Sequence, residues 1–498
     1  MTVQFRGFAV AFILVVVAGC QGPAGPGDRN GEWLGTLPRR DTDFDRRAWQ
    51  GTSANDVRQL MERLPDRIAS ASEHKLARNL LISIADAPQG DEDSSAFLAL
   101  RVDELMRLGD VSDAAALARA GRNPPRDEAS AQREIEAELL AGNVETACID
   151  IRALAARSST RWGEDGLALC KARAGEPGAT SPPDTDKLGA LARIGGAPLP
   201  ADPPSPTGPS GEPGGRIAYL AAVGNDPKVP RTRRLEAAFT AARASALGGD
   251  AYAKILRSAP VHGQAALKGE PPASGEQAAS LFQAIDRSAD PKQKLALAEQ
   301  GLLSPDGAVD GVSAAMAVPL RAVKPDPALS ALAARFAAIF YAVGDLKTAA
   351  PWADLARRSG SDAMVWPYRA LLKPPGPGEL AAWEKRAHLD PGRLERIAAI
   401  LSAFGVGPPE HPGEVTGQAS SELGREDLQE IDRAATQLHV GETTLRALVI
   451  LGGEGPAGAS PQSLHGVLEA LDRVALHDEA RALAFEAITA VVFARPSS

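Results

Sequence analysis

Aromatic side chains are scarce, at 4% of the 498 residues, although 44% of the chain is hydrophobic. Alanine fills much of that apolar share, and such small side chains favour close helix–helix packing over broad sheets. Sustained period-two alternation, the mark of a half-buried strand, is missing beyond the first twenty residues. Basic excess is missing too: a formal charge of −9 and a pI near 5.5 exclude a general nucleic-acid binder, which needs a positive footprint. The apolar run from Phe8 to Val17 is too short to cross a hydrocarbon core of about 30 Å, which takes roughly 20 helical residues.

Residues that carry familiar chemistry are equally thin. The chain has three cysteines, Cys20, Cys148 and Cys170, and no C-x-x-C, so thioredoxin-like redox chemistry and zinc ribbons have no support. Seven histidines (His74, His262, His388, His411, His439, His465 and His477) are scattered, and none forms H-E-x-x-H or another ligand pair one helical turn apart. No G-x-S-x-G, Walker A string or kinase set occurs. Carboxylate pairs such as Glu134 with Glu138 read as solvated helix faces. The expectation is a protein that is not an enzyme, with no catalytic residue, metal ligand or cofactor site assigned.

What is present is concentrated at the start. One positive side chain, Arg6, precedes the apolar run, and Ala18-Gly19-Cys20 follows it. A short basic start, a short apolar core and small residues at a cut site describe a secretory signal. Val17-Ala18-Gly19-Cys20 resembles the lipobox of bacterial lipoproteins, with Val17 standing where leucine is most frequent. The resemblance implies that residues 1–19 are removed, that the Cys20 thiol receives a diacylglycerol, and that its new amine is acylated. Two or three chains on one cysteine make a stable anchor, whereas one acyl chain binds only marginally. Gln21 stands where an aspartate would, by the same resemblance, retain a lipoprotein in the inner membrane. The expected location is therefore the outer membrane, facing the periplasm.

Export bears on the other two cysteines, because disulfides persist in oxidising compartments. The midpoint between Cys148 and Cys170 falls in Arg157-Ser158-Ser159-Thr160, which reads as a turn between helices. Residues equidistant from such a turn lie at one height in an antiparallel hairpin, so a disulfide is expected, with two separately buried thiols as the alternative.

Helical spacing begins near Trp49, as in Leu98, Val102, Leu105 and Met106. Three turns then look alike: Leu108-Gly109-Asp110-Val111 through Ala114, Ala141-Gly142-Asn143-Val144 through Ala147, and Val343-Gly344-Asp345-Leu346 through Ala349. In each, Gly is expected to end one helix in the left-handed conformation, Asp or Asn to cap the next, and Ala to allow close packing. Gly109, Gly142 and Gly175 recur at a period of 33 residues, close to that of tetratricopeptide repeats, which these units resemble. The family's early Trp, its first-helix Tyr and a regular closing Pro are lacking, so the resemblance is to degenerate units. It implies an all-α fold, a helical-hairpin solenoid interrupted by Pro/Gly-rich linkers.

Those linkers divide the chain. After the signal (1–19), residues 20–45 hold the modified cysteine and a tether; 46–175 form a first helical region; 176–215, with ten prolines, form a linker of roughly 35 Å average span if flexible. A middle helical region (216–372) and a C-terminal one (373–498) follow, separated near Pro374-Pro375-Gly376-Pro377. Asp326-Pro327 and Asp390-Pro391 read as helix starts, and Pro351 is expected to kink or shorten its helix. Gly453-Glu454-Gly455-Pro456-Ala457-Gly458 fits G-x-G-x-x-G, but Pro456 removes an amide donor and the helix onset is expected later, at Ser460-Pro461; it reads as an inter-helix loop.

The functional expectation is a non-enzymatic scaffold or adaptor in the bacterial envelope, held to the membrane by lipid on Cys20 and binding envelope proteins. Two other readings stay open: an envelope enzyme of unrecognised type, and a small-molecule or lipid-binding shell.

Overall fold

A computed structural model describes residues 33–37, 44–90, 94–121, 128–176, 217, 220–224, 229–259, 270–407 and 422–494. Among these residues the fold is all-α, apart from a two-residue antiparallel ribbon of β1 (Trp33–Leu34) and β2 (Ala85–Asp86). No helix among them is long and apolar enough to cross a membrane. Cys20, the tether after it and most of the 176–215 linker lie outside the described residues.

The first region holds α1 (Ala54–Glu62), α2 (Ala71–Ile82), α3 (Ser94–Leu108), α4 (Val111–Ala120), α5 (Glu128–Leu140), α6 (Val144–Ala155) and α7 (Arg161–Arg173). Local chemistry starts several of them: the hydroxyls of Ser53, Ser70 and Thr160 accept from the amides of Asp56, Glu73 and Gly163. From α2 onward each helix packs on the next.

The three similar turns share one geometry. Gly109, Gly142 and Gly344 have φ of +92°, +82° and +72°. The following amide donates five residues back in each: Asp110 to Leu105 (2.9 Å), Asn143 to Glu138 (2.8 Å), Asp345 to Phe340 (2.8 Å). This is the Schellman closure, which satisfies carbonyls that a helix end leaves unpaired. Ala114, Ala147 and Ala349 are fully buried, which lets the paired helices approach. The capping expectation holds only at Asp345, whose carboxylate accepts from the Thr348 amide at 3.2 Å. Asp110 and Asn143 make no cap bond. Asp110 instead meets His74, and the Asn143 amide donates to Glu138 at 2.6 Å. At Asp110 a partner 36 positions away has displaced the local cap, and at Asn143 the competing partner is five residues back on the preceding helix.

The middle region contains α8 (Arg231–Arg243), α9 (Gly249–Ser258), α10 (Gly275–Arg287), α11 (Pro291–Gln300), α12 (Gly311–Ala317), α13 (Ala333–Ala342) and α14 (Leu346–Arg358). Asp326-Pro327 opens a 3-10 turn, Pro327–Leu332, that leads into α13. Pro351 does not shorten α14, which runs on to Arg358. Pro351 and Lys347, whose carbonyl loses its amide partner, are both exposed, so water can supply the missing bond.

The C-terminal region holds α15 (Trp366–Leu372), α16 (Glu379–Ala387), α17 (Pro391–Ser402), α18 (Glu422–Thr436), α19 (Val440–Leu451), α20 (Gly455–Gly458), α21 (Pro461–Arg473) and α22 (His477–Val492). Asp390 and Ser460 cap α17 and α21, each with Pro in the first turn.

The chain then closes on itself. α1 packs on α19, α2 on both α19 and α22, and α13 on α22. One hydrophobic core accordingly takes residues from Phe44 to Val491. It includes the stacked Phe336 and Trp352 rings, 4.3 Å between centroids, and Tyr341 stacked on Tyr368 at 5.2 Å. A smaller, separate core serves α5–α7, with Ile135, Leu139, Ile151, Leu154 and Leu169, and takes Val111 from the start of α4, Val229 from before α8 and Ala237 from α8.

Candidate functional site

The segment Ala69–His74 enters α2 at the place where the three regions meet. Its backbone is pinned from several sides: the Ala71 amide donates to the Val309 carbonyl (2.9 Å), the Ala69 amide to Gly453 (3.4 Å), and the Ser245 hydroxyl to the Ala69 carbonyl (2.7 Å). Ser70 is fully buried. Its oxygen accepts the Glu73 amide at 3.1 Å and donates its own proton to Oε2 of Glu486 on α22. The Ser72 amide donates to the other Glu486 oxygen at 3.0 Å.

Ser70-Ala71-Ser72-Glu73 has the spelling of a capping box, in which the Glu would reach back to the cap amide. The structure fulfils only the Ser70 half. The Glu73 carboxyl is 0% exposed, and neither of its oxygens has a hydrogen-bond partner. It lies against the backbone of α20, where a Cβ placed on Gly455 would fall 2.8 Å from Oε2 of Glu73. Gly455 also has φ of +63°, so glycine answers both demands there.

Electrostatics follow from this geometry. Glu486 is 3% exposed, and burial pushes its carboxyl up to about 7, against the opposing hydrogen bonds from Ser70 and Ser72. Burial, reinforced by the Glu486 charge, holds Glu73 well above the ordinary carboxyl range. Asp310 adds repulsion on Glu486 from the start of α12. Its own oxygens are committed, accepting from the Ser313 amide (2.9 Å) and from Nη1 of Arg243 (2.7 Å). No cation pairs with either glutamate among the described residues. One turn along α2, Nε2 of His74 lies 3.0 Å from Oδ2 of Asp110, and Arg78 donates to Asp113 at 2.6 Å. These bonds fasten α2 to the turn before α4 and to the first turn of α4 itself. The arrangement can hold protons and transmit position between regions.

Of the residues singled out by sequence, His74 and the Gly453–Gly458 string lie at this junction, while the cysteines fall elsewhere. Cys148 on α6 and Cys170 on α7 have their sulfurs 2.10 Å apart, at disulfide distance, with Cα atoms 5.6 Å apart. Of the histidines, His262 and His411 lie outside the described residues. Among the described residues no group of three His, Cys, Asp or Glu side chains could hold a metal ion. The Gly453–Gly458 string joins two helices, as its loop reading expects, although Gly455–Gly458 coils into the single turn of α20. Arg396 donates to the carbonyls of Pro456 (2.6 Å) and Ala457 (2.7 Å), while the Glu73 carboxyl lies against Gly455, opposite to what a pyrophosphate cradle needs. The Glu134 and Glu138 reading is corrected: both are buried. Glu138 accepts from Arg119 of α4 as well as from Asn143, so inter-helix packing has covered what looked like a solvated face.

Comparison with protein-family models, curated proteins and solved structures returned no significant match.

Proposed function

We propose that the chain is a lipid-anchored, periplasm-facing lipoprotein of the outer membrane. It serves as a non-enzymatic scaffold for other envelope proteins. The observation that carries this reading is the Cys148–Cys170 pair at disulfide distance across the α6–α7 hairpin. Such a pair suits an oxidising compartment, and export is what the Val17-Ala18-Gly19-Cys20 lipobox directs. The packing of each helix on the next from α3 to α7, with Schellman turns at Gly109, Gly142 and Gly175, supports a tetratricopeptide-like hairpin array. Stacked hairpins offer extended faces for partner proteins.

The test replaces Cys20 with Ala and fractionates cells. The variant is expected to leave the membrane fraction and to lose acyl labelling. A variant that stays in the membrane fraction overturns the anchor. In-cell crosslinking from the anchored protein is expected to capture the same envelope proteins reproducibly, and their absence overturns the scaffold.

A further inference from the structure

We propose that Ser70, Glu73 and Glu486 form a proton-operated latch: it holds the start of α2 against α22 while both carboxyls are neutral, and it lets go as they ionise.

The geometry carries the proposal. The described bonds to the Glu486 carboxyl come from the Ser70 hydroxyl and from the amide and side chain of Ser72, so it reaches across 416 positions of sequence to one helix start. Glu73 sits beside it with no hydrogen bond, sealed by Gly455. A neutral carboxyl tolerates such a place; a carboxylate without donor or cation does not. The other charged groups around the pair do nothing to neutralise it. Asp310 of α12 is itself an acid, and the cation nearest to it, Arg243 of α8, is bonded to Asp310 and to the Pro272 carbonyl. His74 of α2 faces Asp110. Arg396 of α17 is turned to the α20 carbonyls, and Tyr368 of α15 bonds Thr489 at 2.9 Å. Two carboxyls therefore share a site while Arg243 and Arg396 are bound elsewhere.

The sign follows. A carboxyl held above its ordinary value of 4.5 contributes stability that is complete below 4.5 and is lost as pH rises towards the folded-state value, about 7 for Glu486. Glu73 extends the loss to higher pH. The junction is thus shut in mild acid and loosened in mild alkali. This does not depend on where in the cell the protein lies.

Amide hydrogen exchange of the full chain at pH 5 and pH 8, corrected for intrinsic rates, tests the latch. Protection of the α2 start and of α22 is expected to fall on the order of a hundredfold between the two, the change implied by the roughly two units that separate pH 5 from the folded value of about 7. Protection in α6 and α7 is expected to stay level. Joint Glu73→Gln and Glu486→Gln replacement is expected to abolish the fall, since Gln is a neutral isostere. Equal protection at both pH values in the natural chain overturns the proposal, as does a fall that persists in the double variant. Should the double variant not fold, Glu73→Gln alone decides, because Glu73 makes no hydrogen bond to lose: a shallower pH dependence is expected, and an unchanged one overturns the latch.

Discussion

The α4–α7 arm and the closed body around α2, α13, α19 and α22 stabilise helices in two different ways. In the arm, every helix has its neighbour in sequence as its neighbour in space, the core is small, and a cysteine pair ties the last hairpin. In the body, α2 rests on helices that come about 400 residues later, and a large shared core holds them together. The arm shows that local turn chemistry suffices for a stack of hairpins when a covalent tie is added. Where the two meet, a distant partner overrides local chemistry, since His74 of the body draws Asp110, at the start of the arm, away from its cap.

The comparison breaks most sharply in the body core. Phe336→Ala removes a fully buried ring stacked on Trp352 and is expected to cost about 3–5 kcal/mol in urea unfolding. Hydrogen exchange in α6 and α7 should barely change; an equal loss there would mean that arm and body unfold as one unit. Next in size is reduction of the Cys148–Cys170 pair. It frees a loop of 22 residues and is expected to cost the arm about 3 kcal/mol, with protection of α2 and α22 preserved. Thiol counting in denatured, unreduced protein comes first, because two reactive thiols from Cys148 and Cys170 would remove the tie. The smallest expected effect sharpens the turn argument. Ala475 and Leu438 stand at φ of +65° and +58° in turns closed like the glycine ones, with His439 and Leu476 donating to Ala434 and Leu471 at 3.0 Å. Ala475→Gly and Leu438→Gly should each stabilise the body by about 1 kcal/mol in the urea midpoint. No gain would show that side-chain contacts at these positions outweigh the backbone strain.

These turns also mark how far the fold is legible from residues alone. Gly109, Gly142 and Gly344 announce their helix ends because only glycine takes the left-handed conformation without penalty. Ala475 and Leu438 adopt it silently, in turns closed by the same backbone bonds although the residue type does not favour the conformation. Helix starts such as Asp390-Pro391 and Ser460-Pro461 are equally plain, being local. The carboxyl junction is not. Glu73 is spelled as half of a capping box, Glu486 is one acid in the run Ala484-Phe485-Glu486-Ala487-Ile488, and nothing periodic links them across 416 positions. Glu138 misleads for the same reason, because the helix that covers it is set by packing.

The seat of α2 between α19 and α22 has a consequence for the order of synthesis. A ribosome makes Ser70 416 positions ahead of Glu486, so α2 waits for that neighbour while everything between them is synthesised. The local arm can assemble in the meantime, whereas the body must close a loop of several hundred residues before its core forms. A chain cut short before His477 keeps α3 and α19 against α2 but lacks α22, so the side of α2 that α22 covers is left without its partner.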